Sequence, residues 1–269
     1  MTDSLPKFRK PPVVEVALSV QFDELASFTS AHFGIFWTTI RARFPRTEHH
    51  PPLGNAMEVF GTSDVGGGTL QIESGFPVGR CWFVSDDGDR LIQLQPDRFV
   101  MNWRKAKTND EYPSFEVLKQ QFDEELRGFI AFARAESLGE LAVRQCEVTY
   151  VNHLLTDSEQ SSDVNTFLNC WSERRETSNL PPVEASNLSW QYVMKNDDGI
   201  GRLHVTMQPA RSKGTGQKLF VLQLIGRGAP PSPDFASASR FIDAAHRWIV
   251  IGFTDITRDE SHANWERYR

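Results

Sequence analysis

The first hydrophobic pattern in the chain is a strict alternation in the stretch KPPVVEVALSVQF, from Lys10 to Phe22. One face of the extended chain carries only apolar side chains, those of Val14, Val16, Leu18, Val20 and Phe22. The other face carries Val13, Glu15, Ala17, Ser19 and Gln21. A period of two predicts a β-strand whose apolar face lies in the core. Glu15 follows two prolines closely, and the role of its carboxylate is the first functional question.

Three longer segments have apolar residues at spacings of three and four, which predicts amphipathic helices. They span residues 29–44, 113–137 and 233–253. Thr29 or Ser30 is a suitable N-cap for the first helix, and the third begins with Pro-Asp. The stripe of the third helix that we expect to face the core is formed by Phe241, Ala245, Trp248, Ile249 and Phe253. A shorter amphipathic segment at 163–175 predicts one more helix.

The remaining apolar segments predict strands, and the order of elements repeats. In the first half, strands at 69–74, 80–85 and 90–103 follow the opening strand and helix. In the second half, strands at 188–196, 201–210 and 218–228 follow a strand at 141–154 and the short helix. We therefore predict an α+β fold with two tandem βαβββα units, residues 1–139 and 140–269, fused into one compact body. Its sheet is expected to be mainly antiparallel and packed against the long helices.

Composition narrows the classes of protein to consider. The chain of 269 residues has a net charge of −6, which argues against general affinity for nucleic acids or anionic membranes. No apolar run approaches the roughly 18 residues of a membrane span. The first ten residues lack the apolar centre of a secretory signal. Cys81, Cys146 and Cys170 are odd in number and widely spaced, which favours reduced thiols and a cytoplasmic location.

Sequence signatures of catalysis and metal binding are missing. The glycine-rich stretch VGGGTL has no P-loop lysine and precedes a predicted strand instead of a helix. The stretch DDGD, residues 86–89, lacks the spacing of a calcium loop and fits a hairpin turn. We therefore expect no cofactor and no bound metal.

Six polar residues are nevertheless candidates for ligand binding: Glu15, Arg144, Tyr150, Asn152, His153 and His246. In the strand CEVTYVNHL, Asn152 falls on the core side, where a buried amide needs hydrogen-bond partners. It either pins neighbouring backbone or binds a ligand. If the first strands of the two halves pair, Glu15 is expected to meet Arg144 or His153. His246 lies beside the apolar stripe of the last helix, three residues after Asp243, and either pairs with that carboxylate or serves a site.

A basic patch is a further candidate, formed by Arg104, Lys105, Lys107, Arg211, Lys213 and Lys218. The segment 210–218 is basic, whereas the hairpin at 86–89 is acidic. Oppositely charged tips of this kind are suited to meet in a dimer, and the basic tip is suited to contact a phosphate. Solvated turns are the alternative interpretation of both.

The stretches PPVVEVALSVQF and VTYVNHL together resemble a sporadically distributed family of uncharacterised bacterial proteins of about this length. Members of that family open with a Pro-Pro-hydrophobic-x-Glu-hydrophobic stretch, matched here by residues 11–16. They also carry a central Arg-Tyr-Ile-Asn-like strand, and Thr149 stands here where that motif has arginine. The resemblance implies no established activity. The patchy distribution of the family is typical of mobile or defence-associated genes.

These observations favour a non-catalytic cytoplasmic protein that binds a protein partner or small ligand and works in an assembly, for which a homodimer is one expected form. The first alternative is an enzyme, a nuclease or hydrolase of a defence system, with a site built from Glu15, Arg144, His153 and His246. The second alternative is a nucleic-acid binder that uses the basic patch, which the overall acidity disfavours.

Overall fold

The computed structural model describes residues 5–54, 57–60, 78–107, 111–156, 164–169 and 185–269. The strands are β1 (Val13–Phe22), β2 (Arg46–His50), β3 (Arg80–Val84), β4 (Arg90–Gln95), β5 (Arg98–Arg104), β6 (Val143–Leu155), β7 (Leu188–Asn196), β8 (Gly199–Arg211) and β9 (Lys218–Ala229). The helices are α1 (Ser30–Ile40), α2 (Phe115–Ala135), α3 (Phe235–Ile256) and α4 (Asp259–Asn264). No helix in these ranges is long and apolar enough to cross a membrane.

All nine strands form one antiparallel sheet in the order β2-β3-β4-β5-β1-β6-β9-β8-β7. The α+β class and the antiparallel sheet are therefore confirmed. The opening strand, β1, lies at the centre of the sheet between β5 and β6. Glu15 is opposite Val151 of β6, so the first strands of the two halves do lie side by side.

Val16, Leu18, Val20 and Phe22 of β1 belong to the core cluster, and the Phe22 ring lies 5.9 Å from Phe129 of α2. Phe36 of α1 has its ring 5.7 Å from Phe83 of β3 and 5.4 Å from Phe129 of α2. On the opposite side of β1 from β3, the Cys146 thiol of β6 donates a hydrogen bond to the carbonyl oxygen of Ala238 in α3 (3.8 Å). The core consequently lies between these helices and one face of the sheet.

The first half contains two departures from the predicted elements. Residues 46–50 lie outside the strands predicted from the sequence, but they form the edge strand β2 through pairing with β3. The strand predicted at 90–103 is two strands, β4 and β5, because the chain reverses at Pro96-Asp97. Proline has no backbone N–H to donate and favours turns, which accounts for the break. The strand predicted at 69–74 lies outside the described residues.

The second half also differs from the expected βαβββα order. Of the helix predicted at 163–175, residues 164–169 are described, and they contain a single 3-10 turn, Val164–Thr166. A short helix that was not predicted, α4, follows α3 directly. The described residues of the first half contain five strands where four were predicted, and most of the short helix predicted in the second half lies outside the described residues, so the tandem βαβββα order stays a prediction. The division at 139/140 stays a prediction.

Glycines of β8 and β9 bring α3 unusually close to the sheet. A Cβ added at Gly226 would lie 3.0 Å from the Cβ of Ala245 in α3. A Cβ added at Gly201 would lie 2.6 Å from the carbonyl oxygen of Arg227 and 2.9 Å from the ring of Trp248. These positions therefore have no space for a side chain.

The opposite face of the sheet is polar, and a chain of hydrogen bonds crosses four of its strands. Arg80 of β3 donates to Gln93 of β4 (2.6 Å), and Gln93 donates to Asn102 of β5 (2.8 Å). Asn102 in turn donates to the carboxylate of Glu15 (2.7 Å). Gln93 and Asn102 are buried, so these partners satisfy groups that would otherwise be costly to remove from water.

A crossing segment, residues 51–60 (51–54 and 57–60 described), contacts this polar face. The backbone N–H and carbonyl of Leu53 both bond to the Gln95 side chain (2.9 and 3.2 Å). Farther along, the backbone N–H of Glu58 donates to the Gln145 side chain (2.8 Å). Backbone groups of this segment thus find partners on side chains of the sheet.

The Glu58 carboxylate provides the main charged contact of the crossing segment. It accepts a hydrogen bond from Arg202, and His204 bonds to its other oxygen; both partners belong to β8. Arg227 of β9 lies 3.7 Å from the same carboxylate and also bonds to Glu147 of β6. One carboxylate therefore joins the crossing segment to two neighbouring strands.

Candidate ligand-binding site

A groove of about 830 Å³ lies between α2 and α3. Its volume is in the range of small-molecule sites in proteins. Leu5, near the beginning of the described chain, closes part of it. The residues from the two helices are Phe115, Glu116, Lys119, Gln120, Asp123, Glu124, Arg127, Asp243, His246 and Arg247. Two of the side chains, Phe115 and Lys119, are themselves buried.

His246 is held in a fixed orientation at the groove. Its ring stacks on Phe115 with 3.7 Å between ring centroids and an interplanar angle of 5°. Its Nδ1 is 3.1 Å from the hydroxyl oxygen of Tyr150, which is 2.8 Å from the hydroxyl of Tyr112. Burial raises the pKa of both tyrosines, so the phenols are neutral. No described residue bonds to the second ring nitrogen of His246.

Burial also lowers the pKa of His246 to about 4, despite the opposite effect of the nearby Glu116 carboxylate. The imidazole is therefore neutral at neutral pH. A neutral imidazole presents one N–H donor and one nitrogen acceptor, so His246 has a hydrogen-bonding group for a ligand without carrying a charge.

Lys119 links the two helices below the surface of the groove. Its ammonium lies 2.6 Å from the Asp123 carboxylate, one turn farther along α2, and 2.5 Å from the hydroxyl of Ser239 in α3. Ser239 donates in turn to Asp123 (3.1 Å). The lysine charge is consequently matched by a neighbouring carboxylate, and the three side chains hold α2 against α3.

Asp243 is different, because its carboxylate forms no hydrogen bond or ion pair with a residue in the described ranges. It lies on α3 one turn before His246, partly buried in the wall of the groove. Burial raises the pKa of Asp243, and the charges of Asp123 and Asp198 add to this effect, whereas Lys119 and Arg247 oppose it. The predicted pairing of Asp243 with His246 is absent from the contacts of the described chain; His246 bonds to Tyr150 instead.

We expect the imidazole of His246 to titrate with a midpoint near pH 4, well below the ordinary value of about 6.5. Proton NMR of the ring resonances checks this, with the signal assigned from its loss in His246→Gln. Because the folded-state pKa is the lower one, the unfolded chain binds the proton first, and stability falls as the pH drops from about 6.5 to 4. Urea unfolding of His246→Gln should show less of this fall. A midpoint near 6.5 would contradict the burial of the ring.

Of the six candidates from the sequence, the structure joins Tyr150 and His246 by a hydrogen bond, and the other four bond to neither of them within the described residues. Glu15 lies on the polar face of the sheet, where it accepts from Asn102. Arg144 is exposed at the start of β6 and pairs with Asp23 through two hydrogen bonds (2.8 and 2.6 Å). Neither predicted contact of Glu15, with Arg144 or with His153, occurs among the bonds of the described residues.

Asn152 and His153 occupy opposite faces of β6. Asn152 is buried and donates to the carbonyl oxygen of Leu222 in β9 (3.1 Å), which is the backbone-pinning role considered for it. His153 is on the polar face, and burial lowers its pKa. The four residues of the enzyme alternative, Glu15, Arg144, His153 and His246, therefore do not form one cluster.

The basic patch has partners within the chain. Arg104 donates to the carbonyl oxygen of Gly88 (2.7 Å), and Lys107 pairs with Asp87 (2.7 Å) at the acidic hairpin. Arg211 donates to the carbonyl oxygen of Gly216 in its own hairpin (3.1 Å). All six basic residues lie at one end of the sheet, in the order imposed by β5, β1, β6, β9 and β8. The remaining members are Lys105, Lys213 and Lys218.

The sequence prediction did not identify Tyr112, Lys119, Asp123 and Ser239. Phe115 lies in the segment 113–137, whose periodicity predicts a helix and gives this residue no role in a site. Lys119 and Asp123 are four residues apart on α2, a spacing that signals an ion pair. Their contact with Ser239, 120 positions from Lys119, has no signal in a single sequence.

Comparison of the chain with protein-family models, with curated proteins and with solved structures found no match. The resemblance to a bacterial family drawn from the two short motifs therefore stays a prediction. The geometry of the groove carries the functional argument.

Proposed function

We propose that this protein is a non-catalytic binding protein that holds a small ligand in the groove between α2 and α3. The observation that carries the proposal is the combination, in one groove, of a neutral imidazole at His246 and a carboxylate at Asp243 that has no hydrogen-bond or ion-pair partner among the described residues. Both side chains stand on one helix, and the contacts of His246 with Phe115 and Tyr150 fix its orientation. Fixed polar groups in a groove of this size favour selective binding.

The contacts in the groove support binding over catalysis. The Ser239 hydroxyl contacts Lys119, but this lysine is already paired with Asp123. The Lys119 amine donates to both Asp123 and Ser239, so it offers the Ser239 hydroxyl no acceptor for its proton. The tyrosines next to His246 are neutral because burial raises their pKa values.

We also infer that the two halves derive from related units joined at β1 and β6. The support is the sheet order, in which β5, β4 and β3 extend from β1 on one side and β9, β8 and β7 extend from β6 on the other. In each half, a long helix follows the last strand and covers the same face. A cytoplasmic location, a protein partner, a homodimer and a link to defence systems remain part of the proposal.

Native mass spectrometry of the protein purified from its own host tests the binding function. We expect a small molecule to be retained by the wild type and lost in Gln120→Trp, which places an indole at an exposed position of the groove. Arg134→Trp is the matched control, because it adds the same side chain at an exposed position of α2 outside the groove. Retention that is equal in both variants, or no retention by the wild type, would contradict the proposal.

A further inference from the structure

We infer that the ligand of the groove carries a protonated amine, and that this ammonium group binds to Asp243. The inference rests on the proposed function of the groove and names the class of its ligand. It depends on the charges that line the groove, on which of them already have partners, and on the hydrogen-bonding groups next to Asp243.

The lining has an excess of negative charge. It contains four carboxylates, from Glu116, Asp123, Glu124 and Asp243, and three cations, from Lys119, Arg127 and Arg247. An anionic ligand would therefore enter a site with one more negative than positive side chain. A cationic ligand would compensate this excess, because complementary charge favours both encounter and orientation.

The three cations of the lining are already engaged. Lys119 is paired with Asp123, and the Arg127 guanidinium lies over the ring of Phe235 at 4.5 Å from its centroid. Arg247 points toward Asp198, with 3.5 Å between Nη2 and the carboxylate. None of these cations is within ion-pair distance of Asp243.

The other carboxylates of the lining also have partners within the chain. Asp123 accepts from Lys119 and Ser239, as described above. Glu116 lies 3.7 Å from the Lys7 ammonium, and Glu124 accepts a hydrogen bond from Gln120 (2.9 Å). Asp243 is thus the carboxylate of the groove that lacks a partner among the described residues. A partly buried carboxylate has lost some of its hydrogen bonds to water, and a hydrogen-bond donor on a ligand replaces them.

The surroundings of Asp243 fit an ammonium group better than a metal ion. The described residues contain no group of three or more His, Cys, Asp and Glu side chains arranged to hold a metal. An ammonium needs only one carboxylate and additional acceptors, since it has three donors. His246 is one helical turn from Asp243. In the tautomer whose Nδ1–H donates to the Tyr150 hydroxyl, which then donates to Tyr112, the second ring nitrogen is unprotonated and accepts from the ammonium. Phe115, stacked on that ring, adds an apolar surface for the body of the ligand.

Three probes of similar shape separate the effect of the ligand's charge from that of its aromatic body: benzylamine, benzyl alcohol and benzoate. Titrations of isotope-labelled protein followed by amide NMR shifts at pH 7 and low salt measure each dissociation constant. We expect benzylamine to shift amides of residues 115–127 and 243–247 and to bind about tenfold more tightly than benzyl alcohol. Benzoate should bind more weakly than either.

Asp243→Asn is the decisive variant, because it keeps the shape of the side chain and removes its charge. We expect it to weaken benzylamine binding about tenfold and to leave benzyl alcohol binding unchanged. Asp255→Asn is the matched control, since Asp255 is an exposed carboxylate on α3 outside the groove. A circular dichroism melt shows that both variants remain folded.

The outcomes distinguish the inference from the proposed function. Equal binding of amine and alcohol, preference for benzoate, or unchanged amine binding by Asp243→Asn would overturn the ammonium site, while binding in the groove would stand. Absence of shifts with all three probes would overturn the ammonium site as well. The retention experiment with Gln120→Trp and Arg134→Trp decides the proposed function independently.

Discussion

Replacing Gly228 with alanine is expected to destabilise the protein by about 3 kcal/mol. A Cβ at this position of β9 would lie closer than 3.0 Å to the carbonyl oxygen of Ile200, to the Cα of Gly201 and to the ring of Phe241. Two of these three neighbours are backbone atoms of the adjacent strand β8, which are unable to rotate away. Relief therefore requires separation of the strands or displacement of α3.

Urea unfolding followed by circular dichroism measures the effect as a change in the transition midpoint at constant slope. Gly128→Ala is the matched control, because Gly128 lies inside α2 and a Cβ there meets nothing within 4 Å. Alanine favours a helix over glycine, so this control should stabilise the protein by about 0.5–1 kcal/mol. If both substitutions stabilised the protein, the close packing of α3 on the glycines would be wrong.

Replacing Glu58 with alanine is expected to cost roughly 3 kcal/mol, as for the loss of one partner from a buried ion pair. The Glu58 side chain is only 7% exposed, and it is bonded to Arg202 and His204 with Arg227 nearby. Its removal leaves positive groups close together under the crossing segment without their shared carboxylate. Glu58→Gln should cost less, because the amide oxygen still accepts one hydrogen bond.

The same carboxylate should make stability depend on pH. Burial alone would raise the pKa of Glu58, but the hydrogen bonds from His204 and Arg202 outweigh it and lower the pKa below the ordinary value. The unfolded chain therefore takes up the proton first, so this contribution is complete above the unfolded pKa of about 4.3 and is lost as the pH falls through the folded pKa. Urea unfolding between pH 7 and 3 should show a smaller acid loss in Glu58→Ala than in the wild type.

Glu140→Ala is the control for both Glu58 experiments, since Glu140 is an exposed carboxylate. Its midpoint and its pH dependence should match those of the wild type. If Glu58→Ala also matched the wild type, the crossing segment would not depend on its carboxylate for attachment to β8.

Local periodicity was sufficient to locate most elements of the fold. The alternation from Val14 to Phe22 predicted β1, and the three- and four-residue spacings predicted α1, α2 and α3 close to their observed bounds. These predictions succeed because an element that buries one face must repeat its apolar residues at its own period. β2 failed this test, since its five residues are mostly exposed and the strand exists only through pairing with β3.

In the candidate site, too, the sequence identified individual residues but not the contacts between them. The sequence drew attention to Tyr150 on a strand and to His246 beside an apolar stripe, but their contact joins positions 96 residues apart. It also grouped His246 with Glu15, which the sheet places on its other face. Periodicity predicts which face of its own element a residue occupies, but a register shift between Val13 and Glu15 interrupts the alternation of β1, and the core includes Val13 and not Val14. The packing of elements decides which faces meet.

The sequence by itself therefore determined the α+β class, the opening apolar strand and the faces of the long helices, because these follow from periodicity within each segment. Only the tertiary structure decided that α2 and α3 enclose a groove and that glycines let α3 approach β8 and β9. It also decided that Lys119 is paired with Asp123, whereas Asp243 has no partner within the described ranges. The physical reason is that side-chain pairing and burial depend on the distances between segments. Those distances are set by packing of the whole chain.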